Sequence, residues 1–214
     1  FHNSRERISR QLGDGKLLSE LTKKIVIYNF RQNDLKNGGE GAPLTPIFHK
    51  LLINKYKLQT PLAILNIGGI ANVTFINNDE KMTCRDIGPG NCLIDQWIRL
   101  NSKKHYDQDG NLAKSGKKNK HIIEKALQDF KKKQDIKSYD VKDFDLSFVK
   151  KMSLEDGAAT LTEYTAEILS KNLEKFNKNI IISGGGRKNK FLMKNIEKKI
   201  NSQLRLIDDF GIDG

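Results

Sequence analysis

The sequence predicts an α/β fold in which mixed sheets are flanked by helices, divided into two domains at 1–58 and 59–214. Three observations carry this reading. Between residues 62 and 207, three short apolar strands run in succession, then helices, then a strand, a helix and a strand. Gln59-Thr60-Pro61 punctuates the chain just ahead of the first of those strands. A chain of 214 residues, 37% of them hydrophobic, is long enough to bury a core in one large domain or two small ones.

In order along the chain, Gly13-Asp14-Gly15 opens a short helix over Lys16–Lys23, with Asp14 as its cap. Lys24–Phe30, rich in β-branched and aromatic residues, reads as a strand. Arg31–Pro46 holds three glycines and two prolines and reads as a loop, and Ile47–Tyr56 reads as a short helix. Leu62–Ile67 and Ile70–Ile76 are strands across a Gly68-Gly69 turn, and Asn77-Asn78-Asp79-Glu80 turns the chain into a third strand, Lys81–Asp86. Gly88-Pro89-Gly90 then precedes a helix over Asn91–Asn101. Further helices are expected over Lys120–Lys133, Phe144–Met152 and Asp156–Phe176; in the last, Ala158, Leu161, Thr165, Ile168, Leu169 and Leu173 share one face. Asn179–Ser183 is a strand, Gly184–Gly186 a loop, Lys188–Ile200 a helix and Leu204–Ile207 a final strand. This order resembles the ribonuclease-H-like half of actin-like and sugar-kinase ATPases. In such a half one more helix would follow Ile207.

The net charge of +12 points most easily toward nucleic acid, but its make-up argues against that partner. Lysine outnumbers arginine almost four to one, and the basic stretches carry few aromatics for stacking bases. Segment 114–137, with nine lysines, patterns Ile122, Ile123, Leu127 and Phe130 as an amphipathic surface helix. No apolar run approaches the roughly 18 residues of a membrane span, so no membrane partner is expected. Two cysteines make neither a disulfide framework nor a metal pair, and a cytoplasmic setting fits them. The four histidines show no metal-ligand spacing. Cys92 sits near a helix start, where a thiol pKa is lowered, yet no base accompanies it. Trp97 reads as core.

Three glycine clusters follow strands: Gly68-Gly69, Gly88-Pro89-Gly90-Asn91 and Gly184-Gly185-Gly186. Glycine lets a backbone approach phosphate or base closely, and successive amides bind anions. Neither a Walker loop nor a dinucleotide fingerprint is present. The segments Asn29–Pro43, Leu65–Val73, Asp86–Asn91, Ala159–Ala166 and Ser183–Asn189 together resemble the signature set of the anhydro-N-acetylmuramic acid kinase family, in that family's order. The resemblance implies an ATP-dependent enzyme of peptidoglycan recycling. It would open the 1,6-anhydro bond with water and phosphorylate O6, giving N-acetylmuramate 6-phosphate. Its small-molecule partners would be ATP and an amino sugar, with a homodimer as the expected assembly. The family's amino-terminal phosphate loop and its last helix find no counterpart here. The chain is therefore expected to be part of a longer kinase, inactive by itself.

Residue by residue, the resemblance assigns nucleotide binding to Gly68, Gly69, Gly88, Gly90, Asn91, Gly184, Gly185 and Gly186. Asp34 becomes the catalytic base, because the neighbouring acidic position of the family is Asn29 in this chain. Arg31 would orient Asp34 or bind the sugar's acidic group. Glu163, which periodicity alone would leave in solvent, would face the sugar, while Glu167 stays solvated. Asp86 is the expected ligand for the Mg2+ that accompanies ATP, its other role being a helix cap. A related sugar kinase of other specificity, a non-catalytic fragment and a basic nucleic-acid-binding module stand as alternatives.

Overall fold

The computed structural model describes residues 2–3, 6–10, 12–39, 41, 44–79, 81–131, 139–174, 179–200 and 204–212. The chain forms two compact units, Phe1–Leu52 and Ile53–Gly214, which part slightly ahead of the expected boundary.

In the first unit a two-stranded antiparallel ribbon, β1 (His2–Asn3) and β2 (Ile8–Ser9), precedes helices α1 (Gly15–Thr22) and α2 (Phe30–Lys36). Asp14 caps α1 as expected, accepting from the amides of Lys16 at 2.9 Å and Leu17 at 3.1 Å. Helix α3 (Thr45–Tyr56) runs across the boundary into the second unit. Two expectations fail in the first unit. Residues 24–29 form no strand: Ile25, Ile27 and Tyr28 are exposed, and among the described residues no ladder pairs with them. β propensity without a partner leaves backbone groups to water and gains no packing. The segment after it, read as loop, contains α2, with Leu35 fully buried. Pro43, within that segment, lies outside the described residues.

The second unit is built on a five-stranded sheet in the order β5-β4-β3-β6-β7. Strands β3 (Leu62–Ile67) and β4 (Ile70–Ile76) have the expected bounds, and β5 (Met82–Pro89) continues three residues past Asp86 by pairing with Ala71 and Ile70. These three form an antiparallel meander; β6 (Ile180–Ser183) and β7 (Arg205–Leu206) add parallel strands on the other side of β3. A sheet of order 3-2-1-4-5, antiparallel then parallel and flanked by helices, is the ribonuclease-H-like arrangement the element order anticipates. Central β3 buries Leu62, Ile64, Leu65 and Ile67 completely, each at about 1.5–3 kcal/mol.

Helix α4 (Cys92–Asn101) follows β5, then a 3-10 turn (Gln108–Gly110), α5 (Asn111–Ser115), α6 (Lys120–Lys131) and two more 3-10 turns, Val141–Asp143 and Ser147–Val149. The long α7 (Leu154–Leu173) starts at the Ser153 cap. It is buried on nearly every side. Ala166, Leu169 and Leu173 pack on the sheet, whereas Ala158, Leu161, Tyr164 and Ile168 pack with Trp97 and Ile98 of α4 and Ile123 and Phe130 of α6. A single apolar stripe was expected; a helix sandwiched between two layers needs more. The expected ends of α6 at Lys133 and of α7 at Phe176 lie outside the described residues. After β6 comes a 3-10 turn (Gly185–Lys188), α8 (Lys190–Ile200), and after β7 a last 3-10 turn (Ile207–Phe210).

The helix expected over Phe144–Met152 is reduced to the turn at Ser147–Val149. Asp145 accepts from the Ser147 amide at 3.0 Å, a local side-chain bond that competes with the helical ladder. Helix α5, which sequence reading missed, is held at its start by the buried Asp107 carboxylate, which accepts from the amides of Leu112 and Ala113.

Candidate active site

The three glycine clusters meet at the carboxyl end of β3. The amides of Gly90 and Cys92 donate to the Gly69 carbonyl at 2.9 and 3.1 Å, and the Asn91 amide donates to the Gly68 carbonyl at 2.8 Å. A Cβ on Gly90 would lie 2.2 Å from the Gly68 oxygen. From the other side, Gly184 (φ +80°) and Gly186 press on Ile67; a Cβ on Gly186 would lie 2.2 Å from its Cγ2. Gly88 fits beneath Ile168, where a Cβ would come within 2.5 Å. Hydrogen at these four positions is thus a packing requirement of the fold. Gly69 and Gly185 differ: both are exposed, with no atom within 4 Å of where a Cβ would stand.

Beside this junction opens a cavity of about 750 Å³, well within the range of small-molecule sites. Its walls are Asn91 at the cap of α4 with Asp95 and Arg99 of that helix, residues 105–109, Gly185 with residues 187–190, Leu206 of β7 and Asp208 beyond it. Of the eight residues assigned to nucleotide, Asn91 and Gly185 line this cavity. Gly184 and Gly186 shape its loop from behind, and Gly68, Gly69, Gly88 and Gly90 build the junction next to it. Asp95 and Arg99 share a wall; burial pushes the Asp95 carboxyl up, Arg99 acts in the opposite sense, and Asp107 adds to the rise. Asp109 is paired with Lys190 at 3.1 Å. Gly185 borders the cavity with open space where a Cβ would stand.

Sequence reasoning did not single out Arg187 or Asp208. The Arg187 side chain is 1% exposed; its Nε and Nη2 donate to the two Asp208 carboxylate oxygens at 2.5 and 3.0 Å, and Nη1 donates to the Gly184 carbonyl at 3.0 Å. The signal was a lone arginine directly after three glycines.

Asp34 and Arg31 come together in the first unit, on α2. The Gly41 amide donates to Asp34 Oδ2 at 2.7 Å, and Arg31 Nη1 donates to the Gly41 carbonyl at 2.6 Å, so the two side chains hold the backbone of Gly41 from both ends. The Asp34 backbone carbonyl takes the Gly39 amide at 2.8 Å, and a Cβ on Gly39 would lie 2.1 Å from Oδ2. The loop glycines thereby let the chain wrap this carboxylate.

Glu163 is 7% exposed, contrary to its place on the helical wheel. Oε1 accepts from Lys118 at 2.6 Å and from Lys199 of α8 at 2.9 Å, and Lys199 also pairs with Glu167, which is therefore not simply solvated. Burial raises the Glu163 pKa, but the two lysines outweigh it and the net shift is downward. Asp86 does not line the cavity. Its Oδ2 accepts the Tyr139 amide at 2.9 Å, and Asn91, not Asp86, stands at the cap of α4. Among the described residues no group of three or more His, Cys, Asp or Glu side chains could hold a metal ion, whereas a Mg2+ that arrives with ATP calls on only one or two carboxylates. Cys92 is buried, and desolvation drives its thiol up to about 11 in spite of the amides around it, reversing the expected direction. Trp97 is core as expected, its Nε1 donating to the Leu154 carbonyl at 2.9 Å. Among the described residues no helix is long and apolar enough to cross a membrane.

A sequence model of the anhydro-N-acetylmuramic acid kinase family matches residues 1–214. An anhydro-N-acetylmuramic acid kinase of Pelagibacter ubique (strain HTCC1062) is 49% identical over 227 residues, covering 100% of this chain and 60% of that protein. One from Zymomonas mobilis is 40% identical over 209 residues, covering 95% and 57%. Among solved structures, the (R)-2-hydroxyglutaryl-CoA dehydratase component A of Acidaminococcus fermentans is similar over 72% of this chain and 57% of that one, at 14% identity and a TM-score of 0.48. The chain spans about 60% of the length of the curated relatives it matches. With a family match along its whole length and close relatives of one name, the chain belongs to the anhydro-N-acetylmuramic acid kinase family.

Proposed function

We propose that this chain is the greater part of an ATP-dependent kinase that opens the 1,6-anhydro ring of anhydro-N-acetylmuramic acid and phosphorylates O6. The observation that supports it most is the grip of Asp34 and Arg31 on the backbone of Gly41, within the segment that resembles the family's loop. A carboxyl group fixed by a backbone amide is positioned to take a proton from water. Water would add its hydroxyl to C1 as the C1–O6 bond breaks, its proton passing to Asp34, and O6 would take the γ-phosphoryl group of ATP as the bond from that phosphorus to the β,γ-bridging oxygen breaks and ADP leaves. ATP, when bound, supplies the phosphoryl group, and the open face at Gly185 with Asn91 is where this chain would receive it. Arg31 holds the base loop, and Glu163, held by Lys118 and Lys199, is the proposed sugar-facing carboxylate of the second unit. No step is assigned to Asp86.

Turnover by the intact protein in 18O-labelled water tests the reading. Mass spectrometry should find one solvent oxygen at C1 of the phosphorylated product. Phosphorylation without that label would remove the coupled hydrolysis and leave a plain sugar kinase.

A further inference from the structure

Two segments line the 750 Å³ cavity: the Gly184–Lys188 loop after β6, and the end of β7 with the turn beyond it, Leu206 and Asp208. Their adjacent strands pair over only two positions, Ile181 with Arg205 and Ile182 with Leu206. Backbone pairing therefore ends at Leu206, at the cavity wall, and does not extend to Arg187 or Asp208. Arg187 bridges the gap. Its planar fork meets both Asp208 oxygens, and its third contact is the Gly184 carbonyl, at the residue whose positive φ turns the loop. Arg187 lines the cavity, but its side chain is 1% exposed and its guanidinium is engaged by Asp208 and the Gly184 carbonyl. Behind the loop, Ile67 stops it from retreating, so the fork and the strand end hold it from two sides.

We propose that Arg187 and Asp208 form a positioning clamp that sets the width of the nucleotide cavity, by tying the loop that carries Gly185 to the segment after β7. Arg187 is a positioning residue, acting through Gly184–Gly186 and not on the reacting atoms. The inference rests on the reading of this cavity as the nucleotide site.

The test is steady-state kinetics of the intact protein with ATP and the anhydro sugar varied separately, for Asp208→Asn, Arg187→Lys and the double variant. A lysine keeps the charge but cannot present the two-point fork. Each single variant should raise the KM for ATP by roughly tenfold or more, with the KM for sugar within about twofold of wild type. The double variant should be no worse than the poorer single one, because either change opens the same clamp. Asp208→Glu should restore part of the loss. Arg187 is buried, so if its variant fails to fold, Asp208→Asn at the more exposed partner still decides. An unchanged KM for ATP in Asp208→Asn overturns the clamp, as do parallel changes in both KM values or multiplying effects in the double variant. Wild-type turnover that does not saturate with ATP would instead sink the nucleotide reading, and the clamp with it.

Discussion

Glu163 shows how a single carboxylate can be misplaced by helical periodicity. The wheel gives it a polar face, and that face exists, but it is covered by the 117–119 segment and by α8. Asp156, Thr160 and Glu163, spaced one turn apart on α7, take the Lys117 amide, the Asn119 amide and the Lys118 ammonium in turn. Only the packing of a segment 45 residues earlier in sequence, invisible to any local pattern, reveals this. The downward pKa shift fixes the sign of a pH effect. The Glu163 contribution to stability is complete above the ordinary value of 4.5 and is lost as pH falls through the lowered folded-state value. Lys199, shifted upward overall by Glu167 and Glu163 against its own burial, keeps its share up to the ordinary 10.5 and loses it above the raised value. Glu163→Gln should therefore destabilise by about 2 kcal/mol across neutral pH, less than a fully buried pair because Lys118 is half exposed. Denaturant melts at pH 7 and pH 3 check this; an equal difference at both would show that charge is not the cause. Asp34→Asn should lower turnover of the intact enzyme roughly 10²–10⁴-fold while substrate binding changes much less. Retention of near-normal kcat would move the base elsewhere, with Glu163 next.

Among elements, β3 and β4 follow directly from their residues, since two short, largely apolar runs joined by a glycine pair admit little else. The failures share a cause. Lys24–Phe30 has strand composition but no neighbour to complete its ladder, and the Phe144–Met152 helix yields to the Asp145 turn; in both, a local preference is overruled by what lies beside it. The glycine turns were readable as special but not for which reason. Space decides between packing and binding, and it separates two otherwise similar substitutions. Gly90→Ala would bring its methyl to 2.2 Å from a backbone oxygen that has no alternative position, and should cost about 1–3 kcal/mol or more. Gly185→Ala meets nothing within 4 Å and should leave the melting temperature within error, while its methyl enters the cavity and weakens nucleotide binding. Thermal melts with ADP titrations compare the two, and a stable Gly90→Ala protein would contradict the junction as described.

At the scale of the molecule the two units differ in how much they bury. The second holds two apolar clusters around α7, whereas the first hides Leu35, Leu52 and His49 but exposes Leu17, Leu18, Leu21, Ile25 and Ile27. Burial drives the His49 pKa down to about 4, so the neutral imidazole belongs to the folded form, and its contribution is lost as pH falls from 6.5 toward 4. Hydrogen exchange should show amides of the first unit opening well before those of β3 and β6, increasingly so in mild acid. Uniform protection across both units would refute that ranking. The junction at Ile67 has a further consequence for how this chain can change over generations. Turns after two different strands, β5 and β6, bear on Ile67 and its neighbour Gly68, so a larger side chain at any of Gly90, Gly184 or Gly186 shifts the support on which the others rest. Replacements there are epistatic: the fitness of each depends on the others, and a lineage that alters one must repack Ile67 and Gly68 before it can alter the next.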